Sequence, residues 1–340
     1  MSYSERPGVY TSYEVTGSLY GQRAGGAVGL AAAATTGTAG DVTAVTDYAA
    51  AVSAFTGGNM TALVKLLLEN GARVVYCCPV ANGDYDTAFA ALMTVTEVKF
   101  MLCDSHDATV HGKLKAAIED AGESAKYRIG IVESGDTTRA SLVTDAAAMN
   151  SERMLLVSHH ETDGVSGSVA AAVCGAMAAE EDPAVPMNGA ALRGVSDIGA
   201  NFSDADLTLL VRGGVLPLET VGGTVCIIRG ITTRTQTAGA ADATWREVNT
   251  VRIVDTVIPG IRDALKTDFA RAKNTAQTRG AIRTRVVIEL ENYLRNEIID
   301  GYDDVRVQAS QSDPGVCEVS FCFTVAHGLN IIELSAHITV

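Results

Sequence analysis

The stretch from residue 72 to residue 157 constrains this chain most. Short β-branched apolar runs alternate there with amphipathic stretches: ARVVYCCPV, then 84–95, then VKFMLCD, then 107–121, then YRIGIV, then 137–149, then RMLLVS. The runs have strand length and the intervening stretches have helix length, so the order is a repeated β-α-β. Short links between such units dictate a parallel sheet with right-handed crossovers and helices on its faces. The expected fold class is therefore α/β. Upstream, GGAVGLAAAAT (25–35) reads as another strand, and 59–70 as a helix stopped by Gly71.

The pattern changes after about residue 205. VLPLE and TVCIIRG, separated by TVGG, read as a hairpin. Residues 245–270 read as a long helix interrupted near Pro259, because proline lacks the N–H that the ladder needs. A second helix over 277–299 carries Ile282, Val286, Leu290, Tyr293, Leu294 and Ile298 at the 3.6-residue period. VRVQAS and GVCEVSFCFTVA flank the turn Ser312-Asp313-Pro314-Gly315, so a two-stranded antiparallel ribbon is the natural cover for that stripe. Both chain ends are extended in character: RPGVYTSYEVTG near the start, and IIELSAHITV at 331–340, where apolar and polar residues alternate. The organisation expected is an arm at 1–20, an α/β domain at 21–238, a smaller α+β domain at 239–330, and an arm strand at 331–340.

Charge narrows the partners. The chain has 26 Lys and Arg against 40 Asp and Glu, a formal net of −14, which argues against nucleic acid and anionic lipid as main partners. Residues 246–295 depart from this, with ten basic residues against six acidic ones. One basic element is thus expected on an acidic body. The first residues lack a basic start with an apolar run, and no stretch has the length of a membrane span, so synthesis in the bacterial cytoplasm without membrane insertion is expected. Seven cysteines, an odd number with no CxxC pair, read as reduced core residues.

Chemistry-bearing residues are few. Cys103, Asp104, His106 and His111 lie at the end of an expected parallel strand, where α/β enzymes place their sites, but Asp104 or Ser105 serves there equally well as a cap for the following helix. His159 and His160 also follow a strand end, yet no G-x-S-x-G elbow supplies a nucleophile. GQRAGG (21–26) has the glycines of a phosphate loop without its Lys-Ser/Thr. An α/β enzyme with a site near Asp104, Glu133 and His159 stays open as the alternative function. No cofactor or metal is called for.

The order of local signatures resembles the phage tail sheath family over nearly the whole chain. The residues that carry the resemblance are Arg6-Pro7-Gly8-Val9-Tyr10, GAVGLAAAATTG, LVKLLLENGARVVYCCPV, the stretch 169–192, GVLPLE, VCIIRGITTRT, NTVRIVD and the terminal IIELSAHITV. The resemblance implies a parallel-sheet domain of subtilisin-like topology and a smaller α+β domain near the tail axis. It implies a structural subunit, not an enzyme, that polymerises with itself around a tail tube protein, meets baseplate and tail terminator proteins, and contracts to drive the tube through a cell envelope. Its place is the virion or a tail-like particle. Terminal arms then join subunits by adding strands to neighbours, with Arg6, Val9, Tyr10, Tyr13 and Val15 in one arm and Ile332, Leu334, Ala336, Ile338 and Val340 in the other. In the second basic helix, a 100° wheel puts Arg279 and Arg283 in the sector of Ile282, Val286 and Leu290, while Arg285 lies off it and is expected to be solvated. Lys273, Arg279 and Arg283 are accordingly expected to face the tube.

Overall fold

The computed structural model describes residues 26–161, 164–330 and 333–335. Strand β1 (Ala27–Ala33) leads into β2 (Thr43–Val45), α1 (Tyr48–Ala54), α2 (Met60–Glu69) and β3 (Val75–Val80). Next come α3 (Tyr85–Met93), β4 (Val98–Cys103), α4 (Ala108–Glu123), β5 (Ile129–Glu133), α5 (Arg139–Met149) and β6 (Met154–Val157), the alternation read from the sequence. Beyond it lie α6 (Ser168–Ala179), β7 (Ala191–Leu192), α7 (Asp204–Arg212) and the short strands β8 (Val215–Leu216), β9 (Leu218–Val221), β10 (Thr224–Ile227), β11 (Gln236–Thr237) and β12 (Ala240–Ala241). Two long helices, α8 (Val248–Phe269) and α9 (Ala276–Arg295), and the ribbon β13 (Ile299–Ala309) and β14 (Cys317–Val325) complete the order.

The main sheet has seven strands in the order β2-β3-β1-β4-β5-β6-β8, parallel except for β2. The fold is thus mixed α/β with a mostly parallel sheet. Successive strand residues point to opposite faces. Leu30, Cys77, Leu102, Ile131 and Leu155 pack on one side with α2 and α6, while Ala31, Cys78, Met101, Val132 and Leu156 pack on the other with Phe89, Leu114, Leu142 and Leu210. Parallel strands covered on both faces read as continuous apolar runs, which is what their sequences are. A third cluster, with Ile253, Val257, Ile261, Val286, Leu290 and Tyr293, joins α8 and α9 to the inner face of the ribbon through Val305, Phe321 and Phe323.

Three expectations need correction. Helix α8 runs unbroken through Pro259 because buried Val257 and Ile261 anchor the chain on both sides of it. Gly260 lets the Tyr293 ring lie against the helix there; a Cβ would stand 2.0 Å from the phenol oxygen. The expected VLPLE strand is split at Pro217: Val215 and Leu216 pair with β6, and Leu218–Val221 turns over Gly222-Gly223 to pair with β10. Proline offers no N–H to continue the first ladder, so the chain changes sheet at that residue. The cap of α4 is Asp107, which accepts from Thr109 N at 2.8 Å, and not Asp104 or Ser105. As for the cysteines, Cys77, Cys78, Cys103 and Cys174 are buried, whereas Cys226 and Cys317 are half-buried and Cys322 is exposed.

Candidate functional site

Parallel sheets place chemistry at the carboxyl ends of their strands. Here that rim gathers Asp104 after β4, Glu133 at the end of β5, and Ser158 and His159 after β6. Each is occupied by its own chain. Asp104 accepts from Ala33 N and Asn59 Nδ2, both at 2.9 Å, and from the Tyr85 hydroxyl at 2.7 Å. Burial first, then that contact with Asp104, drives the Tyr85 phenol far above its ordinary value.

Glu133 has a larger task. Helix α6 is apolar all round, with ten of its residues buried, so the N–H groups of its first turn cannot reach water. Gly167, in the left-handed region at φ 87, precedes the helix and offers no side chain as a cap. The Glu133 carboxylate supplies the missing acceptors: it receives Gly167 N at 2.5 Å, Val169 N at 2.9 Å and Ala170 N at 3.0 Å. An anion at a helix N-terminus also complements the macrodipole. His106 closes the site, with Nε2 2.8 Å from Glu133 Oε1.

His159 and His111 each engage a neighbour through one ring nitrogen. Ser158 Oγ lies 2.7 Å from His159 Nδ1 and accepts from Leu218 N at 3.0 Å, so this fully buried hydroxyl ties β6 to β9 and is closed to a substrate. Burial pushes the His159 imidazole down to about 4. His111 is likewise lowered by burial, and its Nε2 sits 2.7 Å from Ser105 O. Burial pushes the Cys103 thiol up to about 12, so it packs in the core as a neutral thiol. Among the described residues no three His, Cys, Asp or Glu side chains group as a metal site.

The surfaces left for work are at the far end of the molecule. The first half of α8 is docked on the α/β body: Arg153 holds Asp255 with two bonds, Arg252 Nη2 donates to Glu180 O at 2.6 Å, and Asn249 Nδ2 to Ala184 O at 3.0 Å. Beyond Ile261 the helix is largely exposed and meets α9 in a turn that carries Arg271 and Lys273. Asn274 in that turn donates to Pro314 O and Val316 O, pinning the ribbon tip, and Arg279 Nη1 donates to Asn274 Oδ1 at 2.8 Å. Arg283 Nε donates to Val305 O at 3.0 Å, next to the register shift of β13. The structure therefore brings Lys273, Arg279 and Arg283 to one pole, with Lys273 exposed and the two arginines also bracing the ribbon. Arg285 is not freely solvated, as its position on the wheel suggested; it pairs with Asp268 at 2.8 Å and Glu289 at 2.9 Å, locking α8 to α9. Of the arm residues, Leu334 is 92% exposed. Arg6, Val9, Tyr10, Tyr13, Val15, Ile332, Ala336, Ile338 and Val340 lie outside the described residues.

Comparison with known proteins decides among the readings that this geometry allows. The chain matches the phage tail sheath protein central domain over residues 79–233 and the phage tail sheath C-terminal domain over residues 240–339. It belongs to the phage tail sheath family. A tail sheath protein of Bacillus phage SP01 is 27% identical over 135 residues, which cover 39% of this chain and 23% of that relative, so the chain spans about a quarter of the relative's length. Solved sheath structures share the fold. The contracted helical sheath of the anti-feeding prophage superposes with a TM-score of 0.71 at 17% identity, covering 98% of this chain and 99% of that one. The symmetrised baseplate of the same particle gives a TM-score of 0.73 at 17% identity, with 99% and 100% covered. The sheath tail protein of Desulfitobacterium hafniense gives 0.68 at 12% identity, with 94% and 100% covered. In a sheath chain the occupied strand-end rim is a structural keystone, and no helix of the described residues is long and apolar enough to cross a membrane.

Proposed function

We propose that this chain is a sheath subunit that polymerises around a tail tube and contracts to drive the tube through a target cell envelope. Membership of the sheath family carries the proposal. The rim agrees with it, because Asp104, Glu133 and Ser158 each accept a hydrogen bond from a backbone N–H of their own chain. The body keeps its subtilisin-like topology as a scaffold, with the α/β domain at 21–238, the α+β domain at 239–330 and arms at 1–20 and 331–340. Its partners are other copies of itself, the tube, and baseplate and terminator proteins, and its place is a virion or tail-like particle.

Contraction on this reading is a rigid-body rearrangement, driven by new subunit contacts and needing no nucleotide. Arms hold neighbours together throughout. Arg6, Val9, Tyr10, Tyr13 and Val15 of one copy, and Ile332, Leu334, Ala336, Ile338 and Val340 of another, extend the β13–β14 ribbon, which pairs with no third strand among the described residues. At about 1 kcal/mol of net stabilisation for each backbone hydrogen bond, several bonds hold such a link. The pole with Lys273, Arg279 and Arg283 faces acidic groups of the tube. Deleting 331–340 tests the arm: a folded, soluble protein that no longer polymerises is expected, and normal polymer from the truncated chain contradicts strand exchange.

A further inference from the structure

Two histidines of the strand-end rim lie side by side. His106 follows the end of β4 by three residues and His160 follows the end of β6 by three, on either side of β5 in the sheet. Their ring centres stand 5.4 Å apart at a tilt of 49°. Glu133, which ends the strand between them, lies 2.8 Å from His106.

That contact sets His106 up as a ligand. The carboxylate accepts from Nε2, so Nε2 carries the proton and Nδ1 of the neutral ring keeps its lone pair. A carboxylate on the second nitrogen of an imidazole is also the usual outer support of a metal-bound histidine, which it orients and makes more basic. Glu133 is held in place, because it accepts three N–H groups at the start of α6. On the Nδ1 side Gly135 leaves room: even a Cβ there would stand 3.4 Å from that nitrogen, and the His106 side chain is 31% exposed. His160 forms no hydrogen bond with another described residue, and its Nδ1 is buried without a partner. A buried ring nitrogen left unpaired costs free energy until a partner reaches it.

Metal–nitrogen bonds to zinc measure about 2.0–2.1 Å, so two imidazoles on one tetrahedral ion hold their ring centres roughly 5 Å apart. The observed 5.4 Å reaches that spacing with a small rotation of either ring. We propose that His106 Nδ1 and the imidazole of His160 chelate one divalent transition-metal ion, of the zinc and copper class that imidazole suits, with Glu133 as the outer support of His106. Among the described residues no third His, Cys, Asp or Glu completes a group with them, so water fills the remaining positions and the site is open. The buried Glu133 carboxylate, 1% exposed, favours a cation at this place. A bound ion ties the loop after β4 to the loop after β6, across the end of β5 and over the start of α6. The site does not depend on the sheath reading.

The probe is Zn²⁺ alone, titrated by calorimetry at neutral pH into full-length protein carrying Cys226→Ser, Cys317→Ser and Cys322→Ser, so that accessible thiols do not compete. One ion per chain is expected. His106→Gln keeps an amide donor for Glu133, and His160→Gln removes no described hydrogen bond, so both variants should match the thermal midpoint of their parent in the presence of a chelator. Each should bind Zn²⁺ at least tenfold more weakly and lose the rise in midpoint that Zn²⁺ gives the parent. His327→Gln, at an exposed histidine of the other domain, should change neither quantity. With Cu²⁺ alone as second probe, electron paramagnetic resonance should show two nitrogen ligands in the parent and one in each variant. Zn²⁺ affinity unchanged by both substitutions overturns the proposal. So does a copper spectrum with a single nitrogen, or two weak ions per chain of which each variant removes one.

Discussion

The guanidinium of Arg153 grips the carboxylate of Asp255 through two hydrogen bonds of 2.6 and 2.8 Å, and so bolts helix α8 to the amino-terminal end of β6 in the parallel sheet. Both side chains are mostly buried, 14% and 17% exposed, and Tyr127 lies 4.9 Å from the guanidinium carbon. Burial raises the Asp255 carboxyl even against the pull of Arg153, so the pair holds position at a cost in desolvation. Removing one partner leaves a buried charge. Asp255→Ala should destabilise by about 3 kcal/mol, while Arg153→Met/Asp255→Leu should come within about 1 kcal/mol of wild type, as urea denaturation will measure. Equal losses in the single and double variants would contradict this account of the contact.

Glu133 should prove the most sensitive carboxylate of the strand-end rim. Glu133→Ala strands three buried N–H groups at the start of α6 and should cost about 3 kcal/mol or more, with Glu133→Gln intermediate because one acceptor oxygen remains. Chemical denaturation of both variants gives the comparison. A loss below about 1 kcal/mol for Glu133→Ala would mean that water reaches the helix terminus.

Much of this architecture is legible in the sequence, and the illegible parts have physical causes. The β-α-β order from Val75 to Val157 shows because each helix there keeps a polar face that breaks the apolar runs. Helix α6 does not show, since a helix buried all round has no amphipathic period, and its partner Glu133 carries no local signal. Helix α7 was within reach: Ser203 and Asp206 form an N-terminal box, with Asp206 N donating to Ser203 Oγ at 3.2 Å. The switch of sheets at Pro217 follows only from knowing that β6 needs a neighbour. Arg279 and Arg283 share the helical sector of Ile282, Val286 and Leu290 in the sequence, but their acceptors, Asn274 and Val305, depend on tertiary structure.

Acid should weaken the fold through His159. Its pKa stands at about 4, below the ordinary 6.5, because burial disfavours the charged ring. The unfolded chain therefore takes up the proton first as pH falls, and stability drains from about pH 6.5 down to about pH 4, by roughly 3 kcal/mol in total. His111, lowered in the same direction, adds to the trend. His159→Gln should flatten the pH dependence of the denaturation midpoint across that window; a profile identical to wild type would remove His159 from the account.

Gly260 and Tyr293 form a coupled pair. Alanine favours helices over glycine by about 1 kcal/mol, yet Gly260→Ala should destabilise by about 2 kcal/mol because its Cβ would collide with the Tyr293 hydroxyl. Adding Tyr293→Phe should recover most of the loss. Thermal denaturation of the two single variants and the double variant measures the coupling, and strict additivity would deny the contact.

The central claim is that this chain builds a sheath. Negative-stain electron microscopy of the purified full-length protein tests it most directly. Hollow cylinders of uniform diameter, with a regular helical or stacked-ring repeat, are the predicted result. A uniform population of globular monomers, unchanged by raised concentration or by addition of tail tubes, would contradict it.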